Sequence, residues 1–141
     1  IEGWKLKEAE DKYGAEQVRR WRKGFCHRPP ALEGEPCPLG EEVRSIDPVA
    51  RDAPASESLK DVQERLLPLW QCQIAVDLGK GRSVLVVSHG NTIRALIKHI
   101  EEISDQDIEK LEVHTAVPII YELDERLRPV ERHELVNGDM R

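Results

Sequence analysis

Four apolar residues, Val84, Leu85, Val86 and Val87, sit between the turn sequence Gly79-Lys80-Gly81 and the segment Ser88-His89-Gly90-Asn91-Thr92, and they constrain the fold more than any other part of the chain. A run this short, continuously apolar and rich in β-branched side chains reads as a strand buried on both faces, the kind that parallel sheets use. Directly after it, Ile93, Leu96, Ile97 and Ile100 recur at helical spacing. The pattern predicts a strand that passes through a short loop into a helix. Gly90 permits a turn or the close approach of a ligand to the backbone, and Asn91 or Thr92 is of a type that caps helices. The amides of a first helical turn lack intrahelical partners, so such a junction attracts phosphate or carboxylate groups. His89 stands at that junction in the sequence.

The 141 residues suit one domain. A net charge of -6 argues against binding nucleic acid or an acidic membrane through bulk charge, while leaving room for a small basic pocket. No apolar run approaches the roughly 18 residues of a membrane span, and the opening Ile1-Glu2-Gly3-Trp4-Lys5 has no signal-peptide pattern, so a cytoplasmic location is expected. Cys26, Cys37 and Cys72 are odd in number and lack CxxC spacing. They read as free or buried thiols, and with no complete four-ligand pattern no metal is expected.

Along the chain, a charged segment containing Glu8, Glu10, Asp11 and Lys12 precedes Tyr13-Gly14, and a second helical stretch follows over about 15–23. There Val18 and Trp21 share one edge, surrounded by Arg19, Arg20, Arg22 and Lys23. Basic residues near a helix C-terminus are favourable in any protein, so taken alone they read as a solvated face. From about 28 to 55 the prolines Pro29, Pro30, Pro36, Pro38, Pro48 and Pro54 mark an excursion or lid. Ser58 and Asp61 form a capping box for a helix of about 18 residues carrying Leu59, Val62, Leu66, Trp70 and Ile74, bent or restarted near Pro68. Ser104 and Asp107 suggest another capping box. Residues 117–123 read as a strand with Pro118 near its start, Asp124-Glu125 as a turn, and 130–136 as the partner strand. Helix, strand and helix followed by strands imply an α/β layered domain with a mixed sheet. His27, His99, His114 and His133 read as surface or structural residues. Arg94 has two open readings, turned inward toward a phosphate or facing solvent in support of its helix.

The segments Lys12-Tyr13-Gly14-Ala15-Glu16-Gln17-Val18, Trp21-Arg22-Lys23, Glu57-Ser58-Leu59-Lys60-Asp61, His89-Gly90-Asn91-Thr92-Ile93-Arg94 and Val117-Pro118-Ile119-Ile120-Tyr121-Glu122-Leu123 together resemble successive segments of the 2,3-bisphosphoglycerate-dependent phosphoglycerate mutases. Their collinearity makes the resemblance specific. It implies the α/β fold of the histidine phosphatase superfamily, a three-layer sandwich with a mixed, mostly parallel sheet, here lacking the N-terminal strand region. On this reading 1–141 is the C-terminal portion of a single domain, with the proline-rich excursion at about 28–55. The activity implied for the intact protein is interconversion of 3-phosphoglycerate and 2-phosphoglycerate through a phosphohistidine, in glycolysis and gluconeogenesis. The implied priming phosphoryl donor is 2,3-bisphosphoglycerate, with no metal. His89 matches the second catalytic histidine, Gly90 and Asn91 match ligand-binding positions, and Arg22 and Lys23 match an Arg-Arg pair that binds substrate. Lys23 keeps the charge of that pair but not its planar, two-pronged donor geometry.

The departures are as informative. The Arg-His-Gly motif that carries the nucleophilic histidine and the Glu-Arg-His-Tyr stretch that carries the catalytic acid have no counterpart in these 141 residues, and Glu2-Gly3 lacks the context to replace the second. Leu6 falls where the resemblance places a substrate-binding lysine, with Lys5 and Lys7 on either side. His114-Thr115-Ala116 replaces a usual Pro-Thr-Gly, which suggests a changed backbone there. The isolated chain is expected to turn over negligibly. The resemblance further implies a homo-oligomer, commonly a dimer, and neither nucleic acid nor membrane as partner. A histidine acid phosphatase and a non-catalytic phosphometabolite-binding or assembly module are the alternatives.

Overall fold

A computed structural model describes residues 5–31, 54–136 and 139–140. Most of the proline-rich excursion expected at 28–55 lies outside the described residues. The chain opens with two short helices, α1 (Leu6–Tyr13) and α2 (Ala15–Lys23), separated by Gly14 at φ +85°, a left-handed conformation that glycine adopts without steric cost. Val18 is wholly buried, and Trp21 meets Tyr13 edge to face at 5.1 Å, so α1 and α2 are joined through aromatic packing.

The capping box at Ser58 forms as its sequence predicts. The Ser58 amide donates to the Asp61 carboxylate at 2.8 Å, and the Asp61 amide returns a bond to Ser58 Oγ at 3.3 Å. Helix α3 (Leu59–Leu69) follows. Pro68 withholds one backbone N–H, yet the rod does not break there. It passes into a π-helical turn, Trp70–Ile74, and continues as α4 (Ala75–Gly79). The Gly81 amide then closes the turn onto Leu78 at 2.8 Å.

Helix α5 (Gly90–Ile100) packs along α3. One core cluster joins Phe25, Leu59, Ala95 and Ile108, and a second joins Trp70, Ile74 and Leu96, with Leu66 packed against both. Ser104 Oγ accepts the Asp107 amide at 3.0 Å, as the second expected box requires, and starts a 3₁₀ turn, Asp107–Lys110.

The sheet departs from expectation. It is small and antiparallel: β1 (Ile119–Leu123) pairs with β2 (Pro129–Val136), and the two-residue β3 (Asp139–Met140) extends it. It is not the mostly parallel mixed sheet of a three-layer sandwich that the resemblance implies. The reason lies at 84–87, the one segment patterned for a parallel strand. Parallel strands need non-local neighbours, and among the described residues no backbone hydrogen bond holds 83–88. Val86 touches the Trp70 cluster, but Leu85 and Val87 are 87% and 86% exposed. The expected strand buried on both faces is an irregular segment covered on one.

The hairpin closes through local chemistry. Asp124 Oδ1 accepts the Arg126 and Arg128 amides, each at 2.9 Å, forming the turn that joins β1 to β2. Strand β1 starts after Pro118, whose carbonyl accepts the Leu135 amide at 3.0 Å. Tyr121 anchors β1 on the end of α5 by donating its hydroxyl to Glu101. Just before β1, Ala116 adopts φ +61°. This is the left-handed conformation that glycine takes most readily, at the position where the resemblance places glycine.

Candidate active site

The N-cap of α5 is His89, in an extended conformation at φ -64° and ψ 148°. The Asn91 amide donates to His89 Nδ1 at 3.2 Å. The expectation that Asn91 or Thr92 caps the helix is therefore corrected by two or three residues. The imidazole nitrogen does what a serine or aspartate oxygen does at most N-caps, satisfying an amide of the first turn. With Nδ1 accepting, the neutral ring carries its proton on Nε2. His89 is exposed, so that N–H is the donor it offers to a ligand.

One turn further, Arg94 is turned away from solvent, onto oxygens of the protein. It is only 5% exposed and donates to the carbonyls of Lys23 at 2.9 Å, Ile108 at 2.8 Å and Arg22 at 3.2 Å, with a longer contact to Asn91 Oδ1 at 3.4 Å. Burial pulls its pKa below the ordinary arginine value, yet a guanidinium in a protein keeps its charge.

The end of α2 is shaped by Gly24. A Cβ there would lie 2.6 Å from the Arg20 carbonyl oxygen and 2.8 Å from His27 Nδ1, so only glycine fits this exit without displacement. Its amide closes on Arg20 at 2.9 Å. The basic face of α2 is partly paired, which sequence composition alone does not reveal. Arg19 meets Glu109 at 2.8 Å, and Lys23 meets Glu112 at 3.1 Å. The hydrogen bond from Lys23 and its charge hold the Glu112 carboxyl below its usual range.

These elements meet around an open cleft of about 540 Å³, lined by Arg22, Lys23, His89, Asn91 and Arg94 together with Trp21, Glu57, Glu112 and His114. Of the residues expected from sequence, Arg22, Lys23, His89 and Asn91 are brought together. Gly90 opens α5 beside them but is not among the lining residues. Nor are Lys5, Leu6 and Lys7, which lie at the start of α1. The sequence reading gave no site role to His114, Glu57 or Glu112. Arg94 was legible in part, since residues 91 and 94 share a helix face. The other three reach the cleft through loops whose paths local pattern does not specify.

The lining favours anions. Both carboxylates already have cationic partners: Glu112 pairs with Lys23, and Arg65 grips Glu57 with two bonds at 3.0 and 3.1 Å. Among the described residues Arg22 has no ion-pair partner, and Arg94 bonds only neutral oxygens. The Arg22 guanidinium, an ammonium and an imidazole N–H, with the buried charge of Arg94 behind them, suit a small ligand with a phosphate and a carboxylate. A separate group, Glu122, Glu131 and His133, brings ligand-type atoms within 4.8 Å of one another on the hairpin; none of the three lines the cleft.

Residues 38–135 match the Histidine phosphatase superfamily (branch 1). The chain is 42% identical over 133 residues to a 2,3-bisphosphoglycerate-dependent phosphoglycerate mutase of Cutibacterium acnes, covering 94% of this chain and 53% of that protein. It is 42% identical over 135 residues to the mutase of the same name from Leifsonia xyli subsp. xyli, covering 93% and 53%. With that of Clavibacter sepedonicus the identity is 45% over 122 residues, covering 84% and 47%. The chain thus spans about half the length of these curated relatives.

Proposed function

Because this chain belongs to branch 1 of the histidine phosphatase superfamily, we propose that the full-length protein interconverts 3-phosphoglycerate and 2-phosphoglycerate by phosphoryl transfer through a histidine. The observation that carries this reading is His89, set at the start of α5 with Nε2–H free and with Arg22, Lys23 and Arg94 around the same cleft. Similarity to the three mutases supports the substrate class.

Each residue of the cleft has a part in that chemistry. Arg22 and Lys23 bind the substrate's anionic ends, Arg22 through a two-pronged guanidinium and Lys23 as a point charge that must leave Glu112. Asn91 offers a side-chain amide, and the first-turn amides of α5, with Gly90 leading, add a positive dipole end. His89 donates from Nε2 to the phosphoryl oxygens as charge develops on them. The histidine that accepts the phosphoryl group is assigned to protein outside these 141 residues. The cationic donor set also fits 2,3-bisphosphoglycerate, which supplies the phosphoryl group that primes the enzyme. No metal is part of this reading. A cytoplasmic homo-oligomer completes it, and among the described residues no helix is long and apolar enough to cross a membrane.

Phosphorus NMR of the full-length protein with labelled 3-phosphoglycerate tests the proposal. Positional exchange is expected; release of free phosphate marks a phosphatase instead, and neither product marks a binding module. His89→Asn keeps a side chain that caps helices while removing the ring N–H. It is expected to slow transfer by on the order of 10²- to 10⁴-fold with stability changed by less than about 1 kcal/mol. Undiminished transfer in that variant removes His89 from the chemistry.

A further inference from the structure

Helix α2 ends in carbonyls that have no intrahelical partner, and two of them belong to Arg22 and Lys23 themselves. Arg94, projecting from α5, supplies donors to both, at 3.2 and 2.9 Å. A cation at a helix C-terminus is favourable both for those hydrogen bonds and for the helix dipole. The same guanidinium reaches Asn91 Oδ1 on its own helix and the Ile108 carbonyl of the 3₁₀ turn. That turn is continuous in sequence with Glu112, the partner of Lys23. Every hydrogen bond Arg94 makes therefore lands on a cleft residue or on the turn that leads to one.

We propose that Arg94 is a positioning residue that fixes the backbone beneath Arg22 and Lys23 relative to His89 and Asn91, so that substrate meets a preset pair of cations. It acts through other groups: its two terminal nitrogens are spent on oxygens of the protein, while its buried Nε has no partner among the described residues. The geometry matters because the two halves of the cleft are far apart in sequence, with Arg94 and Lys23 separated by 71 residues. A long, planar guanidinium spans several carbonyls at once, whereas a lysine ammonium offers compact donors and loses part of the set. Catalytic and binding groups lose effectiveness steeply when displaced by about 1 Å, which is the freedom expected at the end of α2 without this clamp.

The proposal rests on the reading of the cleft as a phosphoglycerate site, and a double-mutant cycle in the full-length protein separates the two. Arg94→Met is expected to raise KM for 3-phosphoglycerate about tenfold or more, with kcat changed less than about threefold, because ground-state contacts are misplaced while His89 stays on α5. In an Arg22→Met, Lys23→Met background the same substitution should change kcat/KM by less than about twofold, since the residues it positions are gone. Arg94→Lys should fall between Arg94→Met and the native protein. An unchanged KM in Arg94→Met, or an equal loss of kcat/KM in both backgrounds, overturns the positioning role in favour of a general scaffold. If Arg94→Met fails to fold, Arg94→Lys carries the same comparison. If the native protein binds 3-phosphoglycerate without converting it, the functional reading fails, and the cycle is read in calorimetric Kd values with the same two criteria.

Discussion

Two apolar, strand-forming segments of this chain, 84–87 and 117–123, flank α5 in sequence. In the second, Ile119–Leu123 enters a ladder with Pro129–Val136, and Tyr121 and Leu123 turn toward α5 and the Trp70 cluster. In the first, β-branched residues lie along the same helical layer, with no ladder among the described residues. Both segments line one apolar gap of about 170 Å³ over α5. The difference is the distance along the chain to a partner. Asp124 turns β1 back on itself within a few residues, so its partner arrives by local closure. A parallel strand obtains partners only through long crossovers. Apolar, β-branched composition suits a strand to burial, but backbone pairing makes it one.

The largest test of this contrast is amide exchange. Averaged over β1, exchange should be slower than at Leu85 and Val87 by on the order of 100-fold or more. Equal protection in the two segments would break the comparison. Substitution sharpens it at smaller scale. Tyr121→Phe removes the hydroxyl that β1 donates to Glu101 and should cost about 1–2 kcal/mol in urea unfolding. Leu85→Ser, at a side chain 87% exposed, should stay within about 0.5 kcal/mol. A larger loss at Leu85 than at Tyr121 would mean that the exposed run carries structural weight.

The smallest expected effect concerns acid. Hydrogen bonds from the backbone and side chain of Arg128 hold Asp124 below the usual carboxylate range. The unfolded chain then takes up this proton first as pH falls, so the turn's contribution is present above the ordinary aspartate value near 4 and is lost progressively below it. Amide exchange in the hairpin, measured relative to α5, should accelerate as pH is lowered through that range after correction for intrinsic rates. Asp124→Asn should remove most of that pH dependence. A hairpin equally sensitive to acid in both proteins would assign the effect to another group.

The site divides along the same line. His89 was legible because a strand-like run, a glycine and a helical repeat place it at a helix start, and Arg22 and Lys23 were legible through resemblance. Residue type points to Asn91 or Thr92 as the cap because an imidazole rarely takes that role; only the 3.2 Å bond from the Asn91 amide identifies His89. For Arg94, helical spacing gives its face but not what lies opposite. Glu57, Glu112 and His114 carry no local signature of a cleft.

By itself the sequence determined the main helices, the serine caps at Ser58 and Ser104, the hairpin turn at Asp124 and the chemical character of the His89 junction, because each depends on groups a few residues apart. Tertiary structure alone decided that 84–87 would find no backbone partner among the described residues, that the sheet there would hold only the hairpin and β3, and that Arg94 would seal the end of α2. Those outcomes depend on which distant backbone groups arrive to satisfy a donor or an acceptor, a condition that no local pattern of residues contains.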